Sequence, residues 1–135
     1  MFDTKVALIV RDDLATWQRL NVVAFLATGI AASAPDMIGQ PYIDAAGQHY
    51  AAMLVQPMMI LQSDLAKLQS VRVKAIEREL TVVPYVFSMF STSNDEANRQ
   101  AFGAEDAGAP DLVGLALRGP KNAVDKAIKG LSLHP

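Results

Sequence analysis

Apolar residues in this chain fall into short runs that alternate between strand-like and helix-like spacing. Lys5 to Val10 (KVALIV) is a compact apolar run rich in branched side chains and closed by Arg11-Asp12-Asp13, the pattern of a strand covered on both faces. From Thr16 the period changes. Leu20, Val23, Ala24, Ala27, Ile30 and Ala31 recur at helical spacing, Thr16 is a candidate N-cap, and Pro35 closes the segment. Trp17, Val22, Phe25 and Leu26 add apolar bulk on other sides, so this helix is expected to be buried on more than one side, beneath a sheet or at a subunit interface.

Ser33 to Gln48 reads as a loop, with Pro35, Gly39, Pro41 and Gly47, and Tyr50 to Gln56 (YAAMLVQ) as a second strand ended by Pro57. Met58 to Leu61 stays apolar and fits either an extension of that strand or a packed connector. Ser63 can cap a helix running to about Glu79, with Leu65, Leu68, Ala75 and Ile76 inward and Lys67, Arg72, Lys74 and Arg78 outward. Thr81 to Phe87 (TVVPYVF) is strand-like, and Pro84 within it predicts an edge position or a bulge. Ser93 with Glu96 fits a capping box for a short helix from about Asn94 to Phe102. After a loop from Gly103 to Pro110, Leu112 to Leu117 is a strand, Pro120 opens a last helix, and Gly130 stops it. Alternating strands and helices predict one α/β domain over residues 1–135: a three-layer α/β/α arrangement with a mixed sheet of about four strands.

Composition narrows the function classes. With 51% apolar and 19% charged residues the chain is a folding sequence rather than a disordered one. Its net charge of −2 supplies no global field for nucleic acid, so any RNA contact needs a local basic patch. The absence of cysteine removes disulfides, thiolate nucleophiles and zinc–thiolate sites, and no secretory segment precedes the first strand, so a cytoplasmic protein is expected. The most apolar stretch, Val22 to Ala32, is half the roughly 20 residues needed to cross a bilayer, so no membrane association is expected. Two histidines, one of them next to the C-terminus, and no acidic ligand cluster predict no metal and no cofactor. No nucleophile elbow, Walker loop or dinucleotide fingerprint occurs.

The run K-V-A-L-I-V-R-D-D-L at positions 5 to 14, followed by an alanine-rich helix, resembles the opening of the type II peptidyl-tRNA hydrolases. Asp106-Ala107-Gly108, the strand Leu112 to Leu117, Gly119-Pro120, and Val124-Asp125-Lys126 ending in Leu131-Ser132-Leu133 resemble that family's D-A-G turn, last strand, G-P corner and terminal helix in the same order. The resemblance implies the hydrolase II-like fold. It does not carry over the catalytic set. Where the family has lysines, a glutamine and a histidine, this chain has Trp17, Gln18, Arg19 and Leu20, then Ala24 and Ala27. After D-A-G the family's threonine-bearing segment is replaced by Ala109-Pro110-Asp111, with Gly114 where a threonine is expected. Asp106 alone carries over. The sequence is also similar to an uncharacterised bacterial domain family that shares this fold and has no assigned reaction.

The candidate chemistry is sparse. Asp106, on a Gly-containing loop, can orient a water or a substrate amine, or it can simply close an Asx turn onto Gly108. Thr92, Asn94 and Asn98 gather neutral hydrogen-bonding groups at a helix N-terminus, either for a small ligand or as a capped first turn. Arg11, Asp12 and His49 can line the same sheet edge, and Arg19 can stabilise charge in place of a missing lysine. Three expectations follow: a ligand-binding or regulatory homodimer without efficient hydrolase activity, an ester or amide hydrolase centred on Asp106, or a dimerisation module built on the apolar first helix.

Overall fold

The computed structural model describes residues 2–135. Strand β1 (Thr4–Arg11) sits at the centre of the main sheet, and its six residues from Val6 to Arg11 are all buried. Both of its edges are hydrogen-bonded, parallel to β4 (Met58–Ser63) and antiparallel to β6 (Leu112–Pro120). An unbroken apolar run suits that position, because each face of a central strand meets a helix layer. Between β1 and β4 come helix α1 (Thr16–Ser33) and the hairpin β2 (Tyr42–Ile43) and β3 (His49–Tyr50). After β4 follow α2 (Leu65–Glu77), β5 (Thr81–Val86) and α3 (Asp95–Gly103), and after β6 follow α4 (Lys121–Ala127) and β7 (Ser132–Leu133).

The main sheet is mixed and has five strands in the order β5-β6-β1-β4-β7, one more than expected. The extra strand is the short C-terminal tail, which Gly130, at φ +91°, turns back against β4. A second correction concerns the expected strand Tyr50 to Gln56. Only its first residue is in a strand, and that strand belongs to the hairpin, while the sheet position beside β1 is filled by Met58–Ser63. Gln56 is instead buried in a polar knot, donating to the Thr4 carbonyl at 3.2 Å and accepting from Arg118 Nε at 2.9 Å, and this locks the chain just before β4 begins. Pro84 behaves as its chemistry requires. β5 is an edge strand, and its pairing with β6 slips at Tyr85/Val86.

Helix caps also differ from expectation. Ala15 precedes α1, and its N–H donates to the Gln18 side chain at 3.0 Å, so Thr16 is already helical. Asp64 caps α2 through the Lys67 N–H (2.8 Å), because Ser63 is the buried last residue of β4. Asn94, not Ser93, caps α3 through the Ala97 N–H (2.8 Å). At α2 and α3 the cap shifts by one residue to another good oxygen acceptor, whereas Ala15 has no side-chain acceptor to offer α1.

Helices cover both faces of the sheet. On one face Ala7, Ile9, Leu115 and Leu117 pack against Leu68, Val71 and Ala75 of α2 and against Val124 and Ala127 of α4. On the other, Val6, Leu8, Val10, Val113 and Ala116 meet α1 through Val22, Leu26 and Ile30, with Leu54, Met89 and Phe90 packed alongside. The inward stripe of α1 is therefore this i, i+4, i+8 set, and Leu20 of the expected repeat points outward, 67% exposed. Gly114 marks the seat of α1 on β6: a Cβ there would lie 2.5 Å from Val22 Cγ1 and 3.1 Å from the Ile9 carbonyl. No threonine fits at that position without moving the helix.

Candidate functional site

A concavity lies beside α1, over the edge strand β5, and under α3. Two adjoining cavities, about 520 and 480 Å³, share Phe25, Tyr85, Met89, Asp95 and Asn98 and together form one groove. Its floor is Val83, Pro84 and Tyr85. Gly29 lets α1 approach that floor, since a Cβ there would meet Val83 Cγ1 at 2.5 Å. One wall is aromatic: Trp17 packs edge-on to Phe90 with ring centroids 5.6 Å apart, Phe90 lies 5.4 Å from Tyr85, and Tyr85 lies 6.1 Å from Phe25. The opposite wall is the start of α3, which contains no buried residue and stands clear of the sheet.

The polar groups of the groove are mostly neutral. The Tyr85 hydroxyl donates to Asn21 Oδ1 at 3.1 Å, and burial pushes the Tyr85 pKa above its ordinary value. The Thr92 hydroxyl donates to the Met89 carbonyl at 2.8 Å and also meets the Asn98 side-chain oxygen. Asp95 and Arg99 bring the only charges, and they pair with each other at 2.7 Å one helical turn apart. The groove therefore offers an aromatic wall, amide and hydroxyl groups, and almost no net charge.

Of the residues singled out in the sequence, Thr92, Asn94 and Asn98 come together here. The rest do not join them. Arg11, Asp12 and Arg19 meet at the C-terminal end of β1. There the Arg11 guanidinium is buried, bonds Asp13 at 2.6 Å, Asp111 at 2.8 Å and the Leu112 carbonyl at 3.0 Å, and lies over the Phe87 ring. Burial acts to lower the Arg11 pKa, but the hydrogen bonds and charges of Asp13 and Asp111 outweigh it and hold it above the ordinary value. Arg19 donates to the carbonyls of Asp12 (2.6 Å) and Leu14 (3.0 Å) and faces His134 Nε2 at 3.1 Å. These cations tie chain segments together: β1 to β6, and the start of α1 to the C-terminal tail.

His49 stands on the exposed β2–β3 hairpin and lines neither cavity. Asp106 is exposed, and its Oδ1 accepts the Gly108 N–H at 2.9 Å, the geometry of an Asx turn. The α2 side chains hold that loop, Gln69 donating to the Pro110 carbonyl at 3.2 Å. Gly119, in the G-P corner, lies under Leu80, whose Cδ2 would be 2.4 Å from a Cβ there and would have to shift to admit one.

Sequence reasoning missed the groove's aromatic wall and Asn21. The signal was present. Trp17, Asn21, Phe25 and Gly29 follow one another at intervals of four, a stripe beside the buried Val22, Leu26 and Ile30. Among the described residues no group of three or more metal-ligating side chains converges, and no helix is long and apolar enough to cross a membrane.

Comparison with known proteins gives a relative without an assigned activity. The solved structure of a protein of unknown function from Agrobacterium tumefaciens is 44% identical, covers 100% of both chains and superposes with a TM-score of 0.96. No curated protein matches the chain. The likeness to type II peptidyl-tRNA hydrolases gains no support from these matches, whereas the expectation of a domain family without an assigned reaction does. Residues 4–135 match the family described as protein of unknown function, DUF2000, and the chain belongs to that family.

Proposed function

We propose that this chain is a small-molecule-binding domain, acting as a homodimer, whose ligand lies in the groove between α1, β5 and α3, and that it does not hydrolyse peptidyl-tRNA efficiently. The observation that carries the proposal is the groove itself. Its two cavities have the size usual for small-ligand sites, and they combine an apolar, aromatic wall with a few convergent polar groups. The chemistry selects the ligand class. Asp95 and Arg99 neutralise each other, so the groove suits an uncharged, flat or aromatic molecule whose hydrogen-bonding edge meets Asn21, Asn98 and the Tyr85 hydroxyl. A phosphate or other strong anion would find no free cation there.

The absence of efficient hydrolysis is supported by the engagement of Asp106 in its turn and of Arg19 with two backbone carbonyls, which leaves neither aimed at the groove. The fold resemblance to type II peptidyl-tRNA hydrolases enters this reading as a likeness of framework, in which the D-A-G turn and G-P corner do packing work.

Trp17 is the only tryptophan and lines the groove, so its fluorescence reports binding directly. Titration with neutral nucleosides and aromatic amides should give a saturable change that Asn98→Ala and Phe25→Ala weaken. No saturable change with any of them would overturn the ligand-binding reading. Peptide release from peptidyl-tRNA should stay at background and be the same in Asp106→Ala; turnover lost in that variant would restore the hydrolase.

A further inference from the structure

Between Ile38 and Leu54, which bridge at its base, the chain leaves the body of the molecule as a two-stranded arm. Tyr42 pairs with Tyr50 and Ile43 with His49, and the Gly39 N–H donates to the Met53 carbonyl at the base. The tip is closed by Asp44, whose carboxylate accepts the N–H groups of Ala46 (2.9 Å) and Gln48 (3.0 Å) and the Tyr50 hydroxyl (3.2 Å). Every residue from Gln40 to Ala51 is exposed, and Tyr42, Ile43, Tyr50, Met53 and Val55 are each at least half exposed. A hairpin of two strands with both faces in water is marginal by itself, and the large apolar side chains on this ribbon keep half or more of their surface in water.

The arm's charge pattern limits its partner. From Ile38 to Met58 the only Asp, Glu, Lys or Arg is Asp44, already engaged at the tip. An anionic lipid surface would call for lysine or arginine, which the arm lacks. The molecule displays one other surface with the same character. The outer side of α1 exposes Trp17, Leu20 and Phe25, and the helix's only charge, Arg19, is tied to the Asp12 and Leu14 carbonyls. Two apolar surfaces joined by the short segment Ala34 to Met37 give a two-fold axis two distinct patches to pair reciprocally. Their eight side chains offer roughly 900 Å² per protomer, against the ~800 Å² a stable interface buries on each side.

We propose that the arm of each protomer packs on the outer face of α1 in a second copy of this chain, reciprocally about a two-fold axis. The inference rests on the homodimer in the reading above and names its contact surfaces. Because Trp17 and Phe25 also line the groove, the partner's arm borders the groove mouth.

Sedimentation of the full chain at micromolar concentration should show a species of twice the 14.5 kDa protomer mass. Ile43→Asp on the arm and Leu20→Asp on the helix should each weaken dimerisation at least about a hundredfold, since each places an unpaired carboxylate in the interface. Both positions are exposed in the protomer, and far-UV circular dichroism checks that the fold persists. Tyr50→Ser serves as a second arm variant should Ile43→Asp misfold. The double variant Ile43→Asp/Leu20→Lys should recover dimer relative to either carboxylate variant. A monomeric wild type overturns the homodimer and this inference together. A dimer left intact by either single variant, or no recovery in the double variant, overturns the arm-on-helix contact alone.

Discussion

The two faces of the sheet are built from the same five strands but finished differently. On one face α2 and α4 lie side by side and close the core, with Leu68, Leu115, Leu117, Val124 and Ala127 fully buried. On the other face α1 is the only helix on the sheet, and α3 stands off beyond it with no buried residue. One helix cannot cover a sheet as wide as two can. The uncovered strip above β5 is the groove. One face is closed by its helices, and the incompleteness of the other leaves the groove proposed above as a ligand site.

The closed face should respond most strongly to substitution. Leu68→Ala should cost about 2 to 5 kcal/mol in chemical denaturation, because it opens a cavity among fully buried neighbours. The groove's ligand response, read from Trp17 in the folded fraction, should not change. A loss below 1 kcal/mol would mean that this face is less tightly packed than it looks.

The seat of α1 comes next. Gly114→Ala should cost about 1 to 3 kcal/mol by overpacking against Val22, Leu26 and the Ile9 carbonyl, and it should alter the groove because α1 forms one side of it. If this variant melts like the wild type, the helix can shift without loss.

Tyr85 links the core to the groove. Tyr85→Phe should cost about 1 kcal/mol through the lost bond to Asn21. The folded-state pKa of Tyr85 is raised by burial, so its stabilising contribution is complete below the ordinary tyrosine value of about 10 and is lost as pH rises from there through the folded-state pKa. The wild type should therefore lose stability over that alkaline window more steeply than Tyr85→Phe. Parallel pH profiles for the two proteins would refute the assignment.

The smallest effect on stability belongs to α3. Phe102→Ala should change stability by under about 0.5 kcal/mol, because the side chain is exposed and α3 has no buried residue, yet it should weaken ligand binding at the groove. A large stability loss there would mean that α3 supports the fold rather than the site.

Much of the fold was legible because apolar runs and breakers act locally. Lys5 to Val10 announced a strand covered on both faces, and Pro84 announced an edge position or a bulge, of which β5 has both. Boundaries slipped where neighbouring residues had similar chemistry, as at Ser63/Asp64 and Ser93/Asn94, where either oxygen can cap a helix. The strand expected at Tyr50 to Gln56 failed for a different reason. Its apolar content belongs to a projecting arm, and Met58 to Ser63 took the place beside β1 because Gln56 anchors the chain to Thr4 and Arg118.

The candidate site was less legible. Thr92, Asn94 and Asn98 lie within seven residues, and a single helix start brought them together. Arg11, His49 and Asp106 each belong to other surroundings, since a charge or a histidine in sequence says nothing of what it will face.

By itself, then, the sequence determined the alternation of strands and helices, the burial of both faces of β1 and the edge or bulge that Pro84 imposes on β5, all consequences of short-range patterning. Only the tertiary structure decided which strands are neighbours, that the C-terminal tail adds a fifth, that Arg11 is a clasp, and that one sheet face is left partly uncovered to form a groove. Those outcomes depend on contacts between residues tens of positions apart, where packing and hydrogen-bond satisfaction choose among arrangements that local propensity leaves nearly equal.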